Sequence, residues 1–178
     1  PVAVILTFET EEEAITIAER IAIMHLGCIE QIGSPVDIYE TPISRQVCEF
    51  IGSVNLFDGE VVDDAEDHAV IACPQLERNI YVGHGVSTSV EDKRVTYALR
   101  PEKLIVTTEQ PTCEHNWSSG KVHDIAYLGG HSVFHVELPS GMIVQSFVAN
   151  AERRGTRPTW GDNVFVCWED DSGVVLRS

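Results

Sequence analysis

The pattern of apolar residues changes after Gly52, where helix-type spacing ends and a long series of short β-type runs begins. Gly, Pro, Asn and Asp residues separate the runs, and the segments LPSGM and EDDSGV favour hairpin turns with glycine at positive φ. Regularly spaced short strands are typical of a small barrel, in which closure removes exposed sheet edges. We therefore place a boundary near Ser53 and predict a mainly β domain, a small barrel, over residues 53–178. Its runs are NLFDGEVVDD, HAVIACP, RNIYVG, RVTYALRP, KLIVTTE, SGKVHDIAYLGG, HSVFHVELPSG, MIVQSFVAN and DNVFVCWEDDSGVVLRS.

Residues 1–52 instead alternate strand-type and helix-type segments. The apolar run VAVILTF, residues 2–8, is typical of a strand that is buried on both faces of a parallel sheet. Thr10 and Glu13 have the spacing of a capping box and predict a helix start. The apolar residues of this helix recur at helical spacing: Ala14, Ile15, Ala18, Ile21 and Ala22.

Three further elements follow before the boundary. RIAIMHLGCIEQIG predicts a hairpin that turns at Leu26-Gly27. SPVDIYETP predicts a short helix that is capped by Ser34 and has Pro35 at its first position. PISRQVCEFIG predicts another helix, which ends at Gly52 and carries one apolar face made of Val47, Phe50 and Ile51.

Composition excludes several classes of protein. The net charge is −16, from 28 acidic and 12 basic residues, and such a field repels phosphate backbones, so we expect no nucleic-acid partner. The acidic residues are scattered, which favours a role in solubility over a docking surface for a cationic partner. No apolar run approaches the roughly 20 residues that cross a bilayer. Five cysteines without CxxC spacing favour reduced thiols inside a cell.

Several segments resemble importer-type ABC transporter ATPases, in the stretch that follows their catalytic motifs. The shared features of residues 11–59 are the acid-led helix ending in Glu19-Arg20-Ile21, the hairpin, QIGSP at 31–35, IY at 38–39 and FIG at 50–52. YALRPEK, residues 97–103, resembles the hallmark of the TOBE domain that follows such ATPases. HDIAYLGGHSVFHVELPSG and PTWGDNVFVCWEDDSGVVL are most similar to the polyamine, putrescine-type branch of the family. The signature residues that this resemblance assigns are Leu99, Arg100, Pro101, Glu102 and Lys103.

The resemblance implies an OB-like TOBE barrel, residues 53–178, behind the end of a nucleotide-binding domain, residues 1–52. It implies a regulatory or dimer-stabilising module in ATP-driven uptake of putrescine- or spermidine-like solutes. Two copies would form a homodimer with transmembrane permease subunits at the inner, cytoplasmic face of the cell membrane. ATP and Mg²⁺ would be cofactors of a full-length parent.

The sequence lacks the motifs that bind and hydrolyse ATP. It contains no GxxxxGK[ST] loop, no LSGGQ-type signature and no Walker B strand. We therefore expect a fragment that has no catalytic residue, binds no cofactor and is inactive alone; a truncated reading frame is the alternative origin. The family's switch histidine, which contacts the γ-phosphate, falls at Glu9, or at Phe8 if one acidic residue is inserted.

Other residue combinations favour structural roles. His123, His131 and His135 could meet as metal ligands, but His131 and His135 lie about 13 Å apart along an extended strand, so we predict no metal site. Asp170 and Asp171 belong to a turn, and Arg100 and Glu102 favour a structural bridge on one strand face. Trp117, Trp160 and Trp168 favour the core or rim of the barrel. The alternative function is a stand-alone OB-like barrel that binds a small ligand outside any transporter.

Overall fold

The computed structural model of the chain describes residues 5–7, 10–86, 93–150 and 157–177. Its backbone contacts divide the chain into two compact units, Pro1–Ser53 and Val54–Ser178. The structure is mainly β, as the sequence predicts. Within the described residues, no helix is both long enough and apolar enough to cross a membrane.

The first unit is a hairpin with three short helices. Its elements are α1 (Glu11–Ile17), β1 (Ile21–His25), β2 (Cys28–Gly33), α2 (Pro35–Glu40) and α3 (Arg45–Phe50). The hairpin prediction is confirmed, because β1 and β2 pair antiparallel and Leu26 and Gly27 both have positive φ. The α2 prediction is also confirmed: the Ser34 hydroxyl accepts a hydrogen bond from the Asp37 N–H, and Pro35 is the first helical residue. The small core of this unit contains Ile21, Ile23, Ile38, Val47 and Ile51.

Four expectations for this unit are wrong in part. Residues 5–7 form no strand and are exposed, because an apolar run becomes a strand only where a neighbouring strand pairs with it; the rest of the 2–8 run lies outside the described residues. Thr10 precedes α1 but its side chain makes no capping hydrogen bond. Ile21 and Ala22 belong to β1, since α1 ends at Ile17. Phe50 is 55% exposed, because only the α3 positions beside the hairpin are covered.

The second unit consists of two curled five-stranded sheets. Its strands are β3 (Asn55–Asp64), β4 (Ala69–Ala72), β5 (Ile80–Val82), β6 (Arg94–Leu99), β7 (Ile105–Thr107), β8 (Trp117–Tyr127), β9 (His131–Glu137), β10 (Ile143–Ala149), β11 (Asn163–Cys167) and β12 (Gly173–Arg177). The strand orders are β12-β6-β3-β4-β5 and β10-β9-β8-β11-β7. All their neighbouring strands are antiparallel.

The two sheets repeat one topology with an exchanged strand. In each half a long strand, β3 or β8, pairs with the next strand on one side and with the fourth strand of that half on the other. The strand that follows β6 joins the second sheet, and the strand that follows β11 joins the first. Each five-stranded sheet therefore contains four strands of one half and one strand, β12 or β7, of the other half.

Matching irregularities support this internal repeat. The register of β3 shifts between Val61 and Asp63, and that of β8 shifts between Val122 and Asp124. A glycine precedes each shift at an equivalent register position: a Cβ on Gly59 would lie 2.6 Å from the Ala72 carbonyl oxygen. A β-bulge bends the strand that carries it, which fits the curled shape of both sheets.

One hairpin prediction is confirmed and one is wrong. LPSGM joins β9 to β10, with Gly141 at φ 85°. EDDSGV joins no hairpin, because β11 and β12 lie in different sheets and Gly173 is the first residue of β12. The apolar side chains of both sheets form one core, centred on the rings of Phe57, Tyr97 and Trp168.

Candidate functional site

The signature segment lies at the crossover between the two sheets. Leu99 is the last residue of β6 and is fully buried opposite Asn55 and Gly173. Arg100 is only 5% exposed, and Pro101–Lys103 form a single 3₁₀ turn in which the Lys103 N–H donates to the Arg100 carbonyl at 3.0 Å. The chain then enters β7 in the other sheet. These residues therefore direct an exchanged strand.

The prediction that Arg100 and Glu102 share one strand face is wrong. Alternate residues share a face only in an extended chain, and LRPEK is not extended throughout. A 3₁₀ turn has about three residues per turn, so residues two apart do not share a face there.

A second crossover has the same construction without the signature. The Ser172 N–H donates to the Glu169 carbonyl at 3.1 Å, and the chain then enters β12 in the first sheet. Asp170 and Asp171 lie in this turn, as predicted. The Asp170 carboxylate also accepts a hydrogen bond from the Asn116 side chain at 2.9 Å, which gives it a structural role.

Two asparagines, which the sequence analysis did not single out, join the halves. The Asn116 amide accepts from the Tyr81 N–H and donates to the Tyr81 carbonyl, both at 2.8 Å. Asn55 does the same at the equivalent position of the other half: it accepts from the Gln145 N–H at 2.7 Å and donates to the Gln145 carbonyl at 2.8 Å. Each side chain takes the place of a paired strand residue at the edge of β5 or β10. We call these contacts the asparagine clamps.

The clamps leave a weak trace in the sequence. Each asparagine lies at or just before the start of a long strand, and Asn116 has φ 56°, a conformation that asparagine tolerates. Asn116-Trp117-Ser118 also matches a glycosylation sequon, but Asn116 is 2% exposed and its amide nitrogen already donates two hydrogen bonds. It is therefore not an acceptor for a glycan in the folded chain.

An open groove of about 450 Å³ lies on the outer face of the second sheet. It brings together two of the three candidate metal-binding histidines, His123 and His135. The His123 imidazole faces the Glu137 carboxylate at 3.8 Å, while the His135 Nδ1 atom is buried and has no hydrogen-bond partner. His131 instead packs on the Phe147 ring, 5.2 Å between centroids.

The groove has no preorganised metal centre. No three His, Cys, Asp or Glu side chains in the part of the chain that the structure describes are placed to hold one ion. Lys121, Asp124 and the exposed Trp160 complete a lining of mixed charge. Such a groove offers contact surface but no nucleophile paired with a base.

The remaining candidate residues lie in the core, in a surface stack or outside the described part. Trp168 is buried, whereas Trp117 carries the Arg78 guanidinium 4.3 Å above its ring. Burial raises the pKa of the Cys73 thiol and of the Cys167 thiol, which makes both poor nucleophiles. Phe8 and Glu9, the two positions considered for a switch histidine, lie outside the described residues.

Comparison with known proteins places these features in a family. Residues 97–176 match the family model of the TOBE domain. The chain is 46% identical over 176 residues to the putrescine transport ATP-binding protein PotG of Escherichia coli (strain K12), covering 98% of this chain and 46% of PotG. It is 34% identical over 178 residues to the spermidine/putrescine import ATP-binding protein PotA of Treponema pallidum (strain Nichols), covering 94% of this chain and 46% of that protein. The chain thus spans about half the length of the curated relatives it matches.

A solved structure shows the same fold. The cytoplasmic molybdate-binding protein ModG, with molybdate bound, superposes with a TM-score of 0.57 over 68% of this chain and 94% of its own, at 13% identity. At that identity the likeness concerns the fold alone. Together with the relatives and the matched domain, it identifies the β unit. The chain carries a TOBE domain and, over nearly its whole length, is similar to about half the length of importer-type ABC ATP-binding proteins.

Proposed function

We propose that the chain is the accessory, regulatory portion of an ABC importer ATPase subunit and supports ATP-driven uptake of putrescine- or spermidine-like polyamines. The observation that carries this proposal is the 46% identity to PotG over 98% of the chain, which includes both units. Similarity limited to the barrel would fit many TOBE-containing proteins. Similarity that also includes the hairpin and its helices supports a shared subunit architecture.

The accessory role rests on the chemistry that the residues offer. The nucleotide-binding motifs are absent from the sequence, and the signature residues direct a strand crossover. We expect no specific heat when Mg-ATP is titrated into the chain, with full-length PotG as the positive control. A micromolar dissociation constant for this chain would overturn the proposal that it acts through another domain.

Permease subunits and a second copy of the subunit are the partners we propose, at the cytoplasmic face of the membrane. The hairpin supports a protein partner for the first unit, because apolar side chains lie on both its faces. Ile21 and Ile23 enter the core, whereas Met24 and its cross-strand neighbour Ile29 are 63% and 56% exposed. Light scattering tests the homodimer: we expect twice the mass of the chain at micromolar concentration, and a monomer would contradict it.

Uptake by hybrid proteins tests the function itself. The ATPase part of PotG that precedes the matched region is joined to residues 1–178 and expressed in cells that lack PotG. Three hybrids are compared: the unmodified chain, its Glu9→His variant, and a chain that ends at Ser53. We expect labelled putrescine uptake to be greatest with Glu9→His.

Two results would contradict the proposal. If the hybrid that ends at Ser53 transports as well as the longer ones, the second unit has no accessory role. If no hybrid transports although each is present at the level of PotG, the alternative of a stand-alone ligand-binding barrel gains support.

A further inference from the structure

Three aromatic rings stack at one of the two asparagine clamps. The Tyr81 ring lies between the imidazoles of His68 and His115, with centroids 5.5 Å and 4.9 Å away and interplanar angles of 10° and 14°. His68 belongs to the first half of the second unit and His115 to the segment that leads into β8 of the second half. The stack therefore spans the junction of the halves.

The same junction is held through the backbone. His115 immediately precedes Asn116, whose amide bonds both backbone groups of Tyr81. Two consecutive residues thus hold Tyr81, one by its ring and one by its N–H and C=O. Whatever strengthens or weakens the ring stack acts directly beside the clamp.

The internal repeat supplies a natural comparison. Register places Gln145 at the position of Tyr81, since each is held by a clamp asparagine. By the same register, Val133 stands at the position of His68. Val54, which precedes Asn55, stands at the position of His115, which precedes Asn116. The second clamp therefore has the same backbone bonds, but the positions equivalent to His68 and His115 hold no ring; its nearby histidine, His135, is the cross-strand neighbour of Gln145 and takes the place of Val70. The stack is not a requirement of the fold, because the fold forms its other clamp without one.

Charges on the neighbouring elements make this stack sensitive to protons. The His68 Nδ1 atom lies 2.9 Å from the Asp67 carboxylate in the β3–β4 turn, and its Nε2 atom lies 3.4 Å from the Asp63 carboxylate of β3. The His68 ring also faces the ring of Tyr81 in β5, and His115 lies on the opposite side of that ring. The Asp170 carboxylate accepts a hydrogen bond from the amide of the clamp residue Asn116. The hydrogen bond with Asp67, followed by that with Asp63, raises the pKa of His68 above its usual 6.5.

The direction of the effect follows from that environment. A histidine whose pKa is raised in the folded state adds stability that is fully present below about pH 6.5 and is lost as pH rises through the folded-state pKa. The protonated ring also lies as a cation against the face of Tyr81, which is a favourable arrangement.

We propose that His68, Tyr81 and His115 form a protonation-sensitive lock on the junction between the two halves of the second unit. The Asn116–Tyr81 clamp opens less readily at pH 6 than at pH 8. The lock acts on one clamp only, and the Asn55–Gln145 clamp is its built-in reference. This inference does not depend on which solute a parent transporter carries.

Amide hydrogen exchange of the full chain tests the lock. The Tyr81 and Gln145 N–H groups each donate to a clamp asparagine, so exchange of either requires its clamp to open. Protection is measured by NMR at pH 6 and pH 8 and corrected for intrinsic exchange. We expect the ratio of Tyr81 to Gln145 protection to be about two- to fivefold higher at pH 6, as for a partly exposed ion pair.

Two substitutions make the test specific. His68→Gln removes the charge of a side chain that is 26% exposed and should leave the ratio equal at both pH values, with near-UV circular dichroism confirming the fold. His131→Gln removes a histidine that packs on Phe147 of β10 and not on Tyr81, and it should keep the wild-type response. A ratio that is independent of pH in the wild type, or a response that survives His68→Gln, would overturn the proposal.

Discussion

Substitution of Asn116 should destabilise the second unit more than substitution of Asn55, because, of these two asparagines, only Asn116 also donates to a carboxylate. Asn116→Asp keeps the acceptor for the Tyr81 N–H and suits the positive φ, but loses the donors to the Tyr81 carbonyl and to Asp170. Asn55→Asp loses only the donor to the Gln145 carbonyl.

The magnitudes follow from those bonds. A neutral hydrogen bond contributes about 1 kcal/mol net, and one to a charged group contributes about 1.5–3 kcal/mol. We expect Asn116→Asp to lower the free energy of unfolding of the second unit by about 3–4 kcal/mol and Asn55→Asp by about 1–2 kcal/mol. The contribution common to both variants cancels in their difference, which leaves the lost bond to Asp170 together with the repulsion between the Asp170 carboxylate and the new one, at about 2 kcal/mol or more.

Urea unfolding followed by tryptophan fluorescence measures this difference. All three tryptophans of the chain, at 117, 160 and 168, lie in the second unit, so the signal does not report on the first. With a slope of about 1–3 kcal/mol per molar urea, the midpoints of the two variants should differ by about 1 M. Equal losses within about 0.5 kcal/mol would show that the Asp170 bond adds nothing, and no loss in either variant would refute the clamp argument.

Three further predictions concern the core and the unplaced switch position. Gly173→Ala should destabilise the second unit by more than about 2 kcal/mol, because the added Cβ would lie 2.1 Å from the Tyr97 ring, whereas Gly130→Ala, in open space, should change thermal stability little. Burial raises the pKa of Tyr97, so only the unfolded chain ionises it near pH 10; stability should fall as pH rises above 10, and Tyr97→Phe should reduce that fall in alkaline urea titrations. In the PotG hybrid, Glu9→His should raise ATP hydrolysis roughly a hundredfold, by replacing a repulsive carboxylate with a hydrogen-bond donor. Rescue by Phe8→His alone would move the switch to that position, and full activity without either change would refute the assignment.

The sequence alone determined the elements whose causes are local. The turn at Leu26-Gly27 and the α2 start at Ser34-Pro35 depend on neighbouring residues, and the structure has both where the sequence predicts them. The short apolar runs that form β3 to β12 could also be recognised, because they too depend on neighbouring residues. The resemblance to the family also came from local motifs, above all residues 97–103, which lie within the matched TOBE region.

Only the tertiary structure decided which strands pair and which residues join the halves. EDDSGV has the composition of a hairpin turn, yet it carries β12 to a sheet whose β6 lies about eighty residues earlier in the chain. Asn55 bonds Gln145 across 90 positions, and Asn116 bonds Tyr81 across 35. Nothing in the neighbourhood of an asparagine specifies such a partner, because β5 and β10 are sheet edges whose free backbone groups come within reach of Asn116 and Asn55 only when the two halves pack together. The clamps are therefore a property of the packed pair of sheets and not of any segment within it.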